Sequence, residues 1–224
     1  MTRATVRTKA RRAGLRLTAR EFATLARLTT PARVQAFVNA VPANHEEGGE
    51  TVRSVRGVLA HRRAHCIEAA LVAACALWIH GLPPLVMHLD CAPTDHPHVV
   101  ALFRRGRCWG AISKSNGAWL RYREPVYRTL RELAMSYFHE CFDRHGRKTL
   151  RSYSRPFDLS RVDPALWVTA AGDCWALHDR LAALAHTPLV TPAQARALSR
   201  RDPFERRSAQ LVEYARPAAR RRPG

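Results

Sequence analysis

Cys66 and His98 are the side chains whose types and settings best suit nucleophilic chemistry. Cys66 stands in "RRAHCIEAALVAACALWIHGL", directly before an apolar run, and Arg62, Arg63 and His65 precede it. A helix N-terminus and neighbouring cations lower the pKa of a thiol, because they stabilise the thiolate. The pattern indicates an activated cysteine whose backbone N–H would supply half of an oxyanion hole. The alternative interpretation is that Cys66 is a small apolar core residue.

His98 opens "HVVALF", a segment that is otherwise apolar. A nucleophilic cysteine needs a base, normally a histidine that a third group orients. If Arg104 pairs with Arg107 in a hairpin, His98 lies opposite Ser113, and directly opposed side chains share a face of the sheet. "ISKSN" then offers its serines, including Ser113, and Asn116 as acceptors for the imidazole N–H. The alternative is a structural histidine without a role in chemistry.

Hydrophobic periodicity and capping residues predict the elements that would position these groups. The apolar helix that Cys66 opens is predicted to end at Gly81, because prolines follow it. Helices followed by consecutive antiparallel strands indicate the α+β class. The other predicted helices lie at 18–28, from 31 onward, and at 52–60, 126–142, 173–186, 193–200 and 203–214. The predicted strands lie at 85–89, 98–103 and 108–112, with one more expected within 150–170.

Four segments together resemble the transglutaminase-like fold of the papain-like superfamily: "RRAHCIEAA", "HGLPPLVM", "HVVALF" and "CWGAIS". The resemblance covers about residues 50 to 140. It implies that Cys66 is the nucleophile and His98 the general base. Where the family has an Asp on the next strand, this chain has Ser113. Asn116 is an alternative partner for the imidazole, since papain-like enzymes use an Asn, and Asp95 is a less favoured one.

The resemblance also implies an architecture and a reaction. N-terminal helices and a buried Cys-bearing helix would pack on a small antiparallel sheet. The activity would be acyl transfer on an amide or ester bond, of peptidase, amidase or transamidase type. It would act on a peptide or amide substrate without a cofactor or metal. Gln35 invites comparison with the oxyanion-hole glutamine of papain-type enzymes. The alternative function is a catalytically inactive scaffold that binds a partner or polyanion through its basic ends.

Positive charge is concentrated at the two ends of the chain. The formal net charge is +19. We predict a disordered basic tail over 1–17, a transglutaminase-like domain over 18–190 and a helical, Arg-rich extension over 191–224. Basic ends suit loose contact with nucleic acid. Solvated tails are the favoured interpretation, because no aromatic residue interleaves the terminal arginine runs.

A membrane location is not expected, because the longest apolar run, 66–79, is shorter than a membrane span. The N-terminus lacks the apolar region of a secretory signal, although it has some features of an organelle transit peptide. We therefore expect a cytoplasmic protein with reduced cysteines.

Two further candidate sites are less favoured. A zinc site would need spacings that fit no common zinc pattern. Its candidate ligands are Cys91, Cys108, His96 and His98. Arg121 and Arg123 alternate along a predicted strand and could hold a substrate carboxylate. Ion pairs with acidic side chains are the favoured interpretation of these two arginines.

Overall fold

The computed structural model describes residues 14–216 and has α+β architecture with an antiparallel sheet. Within those residues the α-helices are α1 (Ala19–Ala26), α2 (Pro31–Ala40), α3 (Val55–His61), α4 (Cys66–Ile79), α5 (Leu130–Met135), α6 (Trp175–Ala182), α7 (Pro192–Ala197) and α8 (Pro203–Ser208). The strands are β1 (Leu85–Cys91), β2 (His98–Arg105), β3 (Cys108–Ile112), β4 (Arg123–Tyr127), β5 (Leu150–Ser154), β6 (Phe157–Asp158) and β7 (His186–Pro188). Two 3₁₀ turns, Leu159–Arg161 and Pro164–Leu166, follow β6.

The sheet has the strand order β4-β3-β2-β1-β5-β7, and β6 pairs with one end of β1. One face carries a large apolar cluster with α1 to α4 and α6, and the other face carries a smaller cluster with α5. Side chains alternate between the two clusters along β1, as the pleat requires: Val86 belongs to the first, Met87 to the second.

Helix α4 lies in the centre of the larger cluster. Every residue from Ile67 to Leu77 is buried, which explains why the helix is apolar almost all the way round. It packs on β2 on one side and on α1, α2 and α3 on the others. Gly81, at φ 89°, follows the helix in the left-handed conformation that ends many helices. A helix so enclosed fixes the position of its first residue, Cys66.

Local capping chemistry accounts for the helix starts before α4. The Thr18 hydroxyl accepts a hydrogen bond from the Glu21 N–H at 3.2 Å, and the Glu21 carboxylate accepts one from the Thr18 N–H at 2.7 Å. The Thr30 hydroxyl caps α2 by accepting from the Arg33 N–H at 3.2 Å, with Pro31 at the first position of the helix. Both starts were predicted from the sequence and are confirmed.

The hairpin of β2 and β3 exists, but its predicted register is wrong by two residues. Arg105 pairs with Cys108 and Arg104 with Trp109, so Gly106 and its neighbour form a two-residue turn. Gly106 has φ 59°, which a two-residue turn of this kind favours. Because the side-chain period of a strand is two, this shift leaves His98 and Ser113 on the same face.

The predicted helix over 126–142 is wrong in extent. Residues 123–127 form β4 instead, where Tyr127 pairs with Trp109 and Arg123 with Ala111 of β3. The helix begins only after Thr129, whose hydroxyl accepts from the Glu132 N–H at 3.1 Å, and it ends at Met135. The helices predicted near the C-terminus are likewise shorter, at Trp175–Ala182, Pro192–Ala197 and Pro203–Ser208.

The predicted tail over 1–17 falls mostly outside the described residues. Residues 14–17 do not fit it, because Leu15 and Leu17 are buried in the larger cluster. The predicted extension over 191–224 contains α7 and α8, and its residues beyond 216 lie outside the described part. Before that point, Glu213 and Tyr214 hydrogen-bond to Asn116.

Candidate active site

Cys66 is the first residue of α4, and it is partly exposed although the helix behind it is buried. The backbone of His65, with φ −101° and ψ −169°, is extended and turns the chain into the helix. The first N–H groups of a helix have no intrahelical acceptor and carry a partial positive charge. The thiol therefore stands where the backbone favours its ionised form.

Two imidazoles, those of His65 and His98, act to lower the pKa of the Cys66 thiol. Burial acts to raise the pKa of the thiol, but the hydrogen bonds and charges of the two histidines outweigh it. The pKa of Cys66 is therefore well below its ordinary value. Burial raises the pKa of Cys75, in the middle of the same helix, well above the ordinary value. The contrast shows that the first position of the helix and its two histidines distinguish Cys66.

Ser113 fixes the tautomer of His98. The Ser113 hydroxyl donates its single proton to the Leu120 carbonyl oxygen at 2.5 Å. It must therefore accept from His98 Nε2, which lies 2.8 Å from its Oγ. With Nε2 protonated, the lone pair of neutral His98 is on Nδ1. This ring nitrogen is the one left to interact with the Cys66 sulfur. This is the tautomer that can take a proton from Cys66.

Gln35 positions Ser113 rather than an oxyanion. Its Oε1 accepts from the Ser113 N–H at 3.0 Å, and its Nε2 donates to the Ser113 carbonyl at 2.8 Å. Nε2 also donates to Asn39 Oδ1 at 2.7 Å. The comparison with an oxyanion-hole glutamine is therefore wrong, since both amide protons are already used. Gln35 belongs to the site as the group that holds Ser113 under His98.

His65 is a second basic group at the site, and the sequence pattern alone indicates only a cation next to Cys66. Its Nε2 donates to the Thr51 carbonyl at 2.7 Å and lies 3.5 Å from Glu46 and 3.6 Å from Glu68 carboxylate oxygens. Burial opposes protonation, but the hydrogen bond and charge of Cys66 and the charge of Glu68 outweigh it. They raise the pKa of His65 to about 9. His65 is therefore an imidazolium at neutral pH.

Glu68 is fully buried one turn into α4 and anchors the loop before the helix. Its carboxylate accepts hydrogen bonds from Asn44 Nδ2, the Thr51 hydroxyl and the backbone N–H groups of Arg53 and His65. The donor from Arg53 is its backbone N–H. The spacing of three residues from His65 to Glu68, which is that of a capping box, was the signal in the sequence for the contact between them.

The other proposed partners of His98 have different contacts. Asn116 donates to the Tyr214 carbonyl and accepts from the Tyr214 N–H, each at 2.9 Å, so its amide is not held against the imidazole. Asp95 accepts from the Thr149 hydroxyl at 2.5 Å and from the His96 N–H at 2.9 Å. Asn116 nevertheless lines the cleft beside Cys66.

Arg121 and Arg123 form the ion pairs that the sequence favoured. Arg121 lies 2.8 Å from Glu213, and Arg123 lies 2.6 Å from Glu140. The zinc site is wrong, because Cys108 lies at the far end of the hairpin from His98. Within residues 14–216, no group of three or more His, Cys, Asp or Glu side chains is placed to hold a metal ion.

Cys66 lies where two clefts meet. The Trp119 cleft, about 380 Å³, contains His98, Asn116 and Trp119. The Trp175 cleft, about 410 Å³, contains His88 and Trp175. His65, Cys66 and the His96–Pro97 segment line both. A third cleft, of about 470 Å³ between residues 142–146 and 203–210, contains neither Cys66 nor His98.

No model of a known protein family matches this chain, and no curated protein matches it. None of the helices between residues 14 and 216 combines the length and apolar character that a membrane crossing requires.

Proposed function

We propose that this chain is a cysteine-nucleophile acyl-transfer enzyme with a transglutaminase-like, papain-like fold. One observation carries the proposal: Cys66 and His98 line the same cleft, the imidazole lowers the pKa of the thiol, and Ser113 holds the Nε2 of His98 as a donor. A nucleophile, a base and a group that orients the base are the parts that covalent acyl transfer requires. The order of the elements, a Cys-bearing buried helix followed by a His-bearing strand, also supports it.

In the proposed reaction, the thiol proton of Cys66 has passed to His98 Nδ1, and the thiolate attacks the carbonyl carbon of an amide or ester. The backbone N–H of Cys66 stabilises the oxyanion of the tetrahedral intermediate. The intermediate collapses to a thioester while His98 returns its proton to the leaving nitrogen or oxygen. Water or an amine then attacks the thioester, loses its proton to His98 and restores the cysteine. The products are the released amine or alcohol, a carboxylic acid or a new amide, and free enzyme.

His65 supplies the positive charge that stabilises the thiolate through this cycle. An imidazolium with a pKa of about 9 keeps its proton at neutral pH, so it stabilises an anion but is a poor base. This leaves proton transfer to His98. His65 and His98 together explain how the site could act with Ser113 in place of a carboxylate. Protonated His65 adds a positive charge beside the sulfur itself.

Acylation by an activated ester tests the proposal without knowledge of the natural substrate. The protein is mixed with p-nitrophenyl acetate at neutral pH, and acetylated peptides are followed by mass spectrometry. We expect a transient acetyl thioester on Cys66 and none in Cys66→Ala. His98→Ala should slow its formation by about 100-fold, the usual scale of general-base catalysis.

Cys108 is the internal reference, because it is also partly exposed and has neither histidine beside it. Acetylation of Cys66 and Cys108 at similar rates would contradict the proposal. So would an acetyl group on Cys66 that forms equally fast in His98→Ala. Either result would favour an inactive scaffold instead.

A further inference from the structure

His88 is a buried histidine in the wall of the Trp175 cleft that the proposed reaction does not use. It lies on β1 and is 3% exposed. Its Nδ1 lies 2.9 Å from His186 Nε2, and its Nε2 has no hydrogen-bond partner among the described residues. A buried polar atom without a partner costs free energy that a ligand can recover.

The hydrogen bonds behind His88 determine what its free nitrogen can bind. His186 Nδ1 lies 2.6 Å from the Leu184 carbonyl oxygen, which can only accept. Neutral His186 therefore carries its proton on Nδ1 and accepts at Nε2 from His88 Nδ1. The lone pair of neutral His88 is consequently on Nε2. Burial is the main cause that lowers the pKa of His88 to about 4, so the ring is neutral at neutral pH.

The remaining wall of the cleft is largely apolar. Val52, Ile67, Val99 and Leu181 are buried in it, and Trp175 is partly exposed at 38%. Two carboxylates, Glu46 and Glu50, also line it. A cleft of about 410 Å³ is large enough for one aromatic or branched side chain beside Cys66.

From these contacts we infer that the Trp175 cleft is a specificity subsite for a substrate group with an apolar body that ends in an uncharged O–H or N–H donor. The donor binds His88 Nε2, and the apolar body packs between Trp175 and the aliphatic wall. This inference rests on the proposed function, because it assigns the cleft that binds the substrate group next to the carbonyl that Cys66 attacks. Phenols and carboxamides are the simplest members of this class.

Chloroacetamides that differ only in one terminal group test the subsite. The Cys66 sulfur forms a bond to the methylene carbon of each probe and chloride leaves. The probes are N-(4-hydroxybenzyl), N-(4-methoxybenzyl) and N-(4-aminomethylbenzyl) chloroacetamide, with unsubstituted chloroacetamide as the reference. We expect the hydroxy probe to alkylate Cys66 about threefold to tenfold faster than the methoxy probe, the effect of one hydrogen bond.

Two variants separate the donor contact from the apolar contact. His88→Phe should reduce the hydroxy-to-methoxy ratio to about one, since the acceptor is removed. Trp175→Ala, at a partly exposed position, should slow all three benzyl probes relative to chloroacetamide even if His88→Phe fails to fold. His139→Phe is the matched control, because His139 is exposed and lies in neither cleft beside Cys66.

The outcomes distinguish this inference from the proposed function. A methoxy probe as fast as the hydroxy probe in the wild type would overturn the subsite. A faster aminomethyl probe would also overturn it and show that Glu46 and Glu50 select a cation. If unsubstituted chloroacetamide reacts no faster at Cys66 than at Cys108, the proposed function fails instead, whatever the ratio of the substituted probes.

Discussion

Ser113 orients His98 without a charge. A carboxylate at this position would meet the Leu120 carbonyl oxygen, with which only a donor is compatible. The hydroxyl satisfies both neighbours, because it donates to Leu120 and accepts from His98. The sequence identified Ser113 as a candidate partner of His98. It did not predict the contact of Ser113 with Leu120, because that contact depends on the path of the loop after β3.

Replacing Ser113 tests whether it sets the tautomer of His98. Ser113→Ala removes one hydrogen bond to the imidazole and should slow acetylation of Cys66 by about fivefold to tenfold. Ser113→Thr keeps the hydroxyl and should stay closer to the wild type. Asn116→Ala is the comparison, because the Asn116 amide is bonded to Tyr214. A larger loss in Asn116→Ala than in Ser113→Ala would assign the orienting role to Asn116.

The Cys66 helix and the strands that follow it could be predicted because their signals are local. An apolar run closed by glycine and prolines indicates a buried helix, and a Gly-containing turn between two apolar segments indicates a hairpin. The register of that hairpin could not be fixed, since shifts by two residues keep the same face buried. The buried contacts of Glu68 with the loop before α4 join segments without a periodic pattern, so the sequence did not reveal them.

Glu68 is expected to anchor α4 to the loop that carries Thr51. In Glu68→Gln an NH₂ group replaces one of the two carboxylate oxygens that accept from buried donors. A donor then faces donors. We expect the substitution to lower the free energy of unfolding by about 2–4 kcal/mol. Glu132→Gln is the matched control, because Glu132 holds the same capping position in α5 but is exposed. It should cost less than about 1 kcal/mol.

Urea unfolding followed by circular dichroism measures both variants. Equal costs for Glu68→Gln and Glu132→Gln would contradict the assignment of Glu68 as a buried anchor. A loss of Cys66 acetylation in Glu68→Gln is also expected, because the Glu68 carboxylate accepts from the His65 N–H that precedes the cysteine.

At the scale of the whole molecule, the site is assembled from segments far apart in the chain. Cys66 comes from α4, His98 from β2 and Ser113 from the residues after β3. Gln35, on α2, hydrogen-bonds to the backbone of Ser113. The C-terminal extension also reaches the Trp119 cleft, since Arg201 packs over the ring of Trp119 at 4.5 Å. Sequence patterns predicted the order of the elements and the approach of Ser113 to His98. They did not predict the contacts of Gln35 with Ser113 or of Arg201 with Trp119.

The account as a whole depends on an ionised Cys66 thiol at neutral pH. Its pKa lies well below the ordinary value, and His65 stays protonated up to about 9. Below the pKa of Cys66 the sulfur is a thiol and reacts slowly. Above it the thiolate persists, so the rate of alkylation should not rise again where an ordinary cysteine ionises, near about 8.5.

The most direct test is the rate of iodoacetamide alkylation of Cys66 from about pH 4 to about pH 10, with Cys108 as the reference thiol in the same chain. We predict a Cys66 rate that has already levelled off at about pH 7, and an inflection that moves to higher pH in His98→Ala and in His65→Gln. A Cys66 rate that instead rises in parallel with Cys108 through about pH 8.5, in the wild type and both variants alike, would contradict the account.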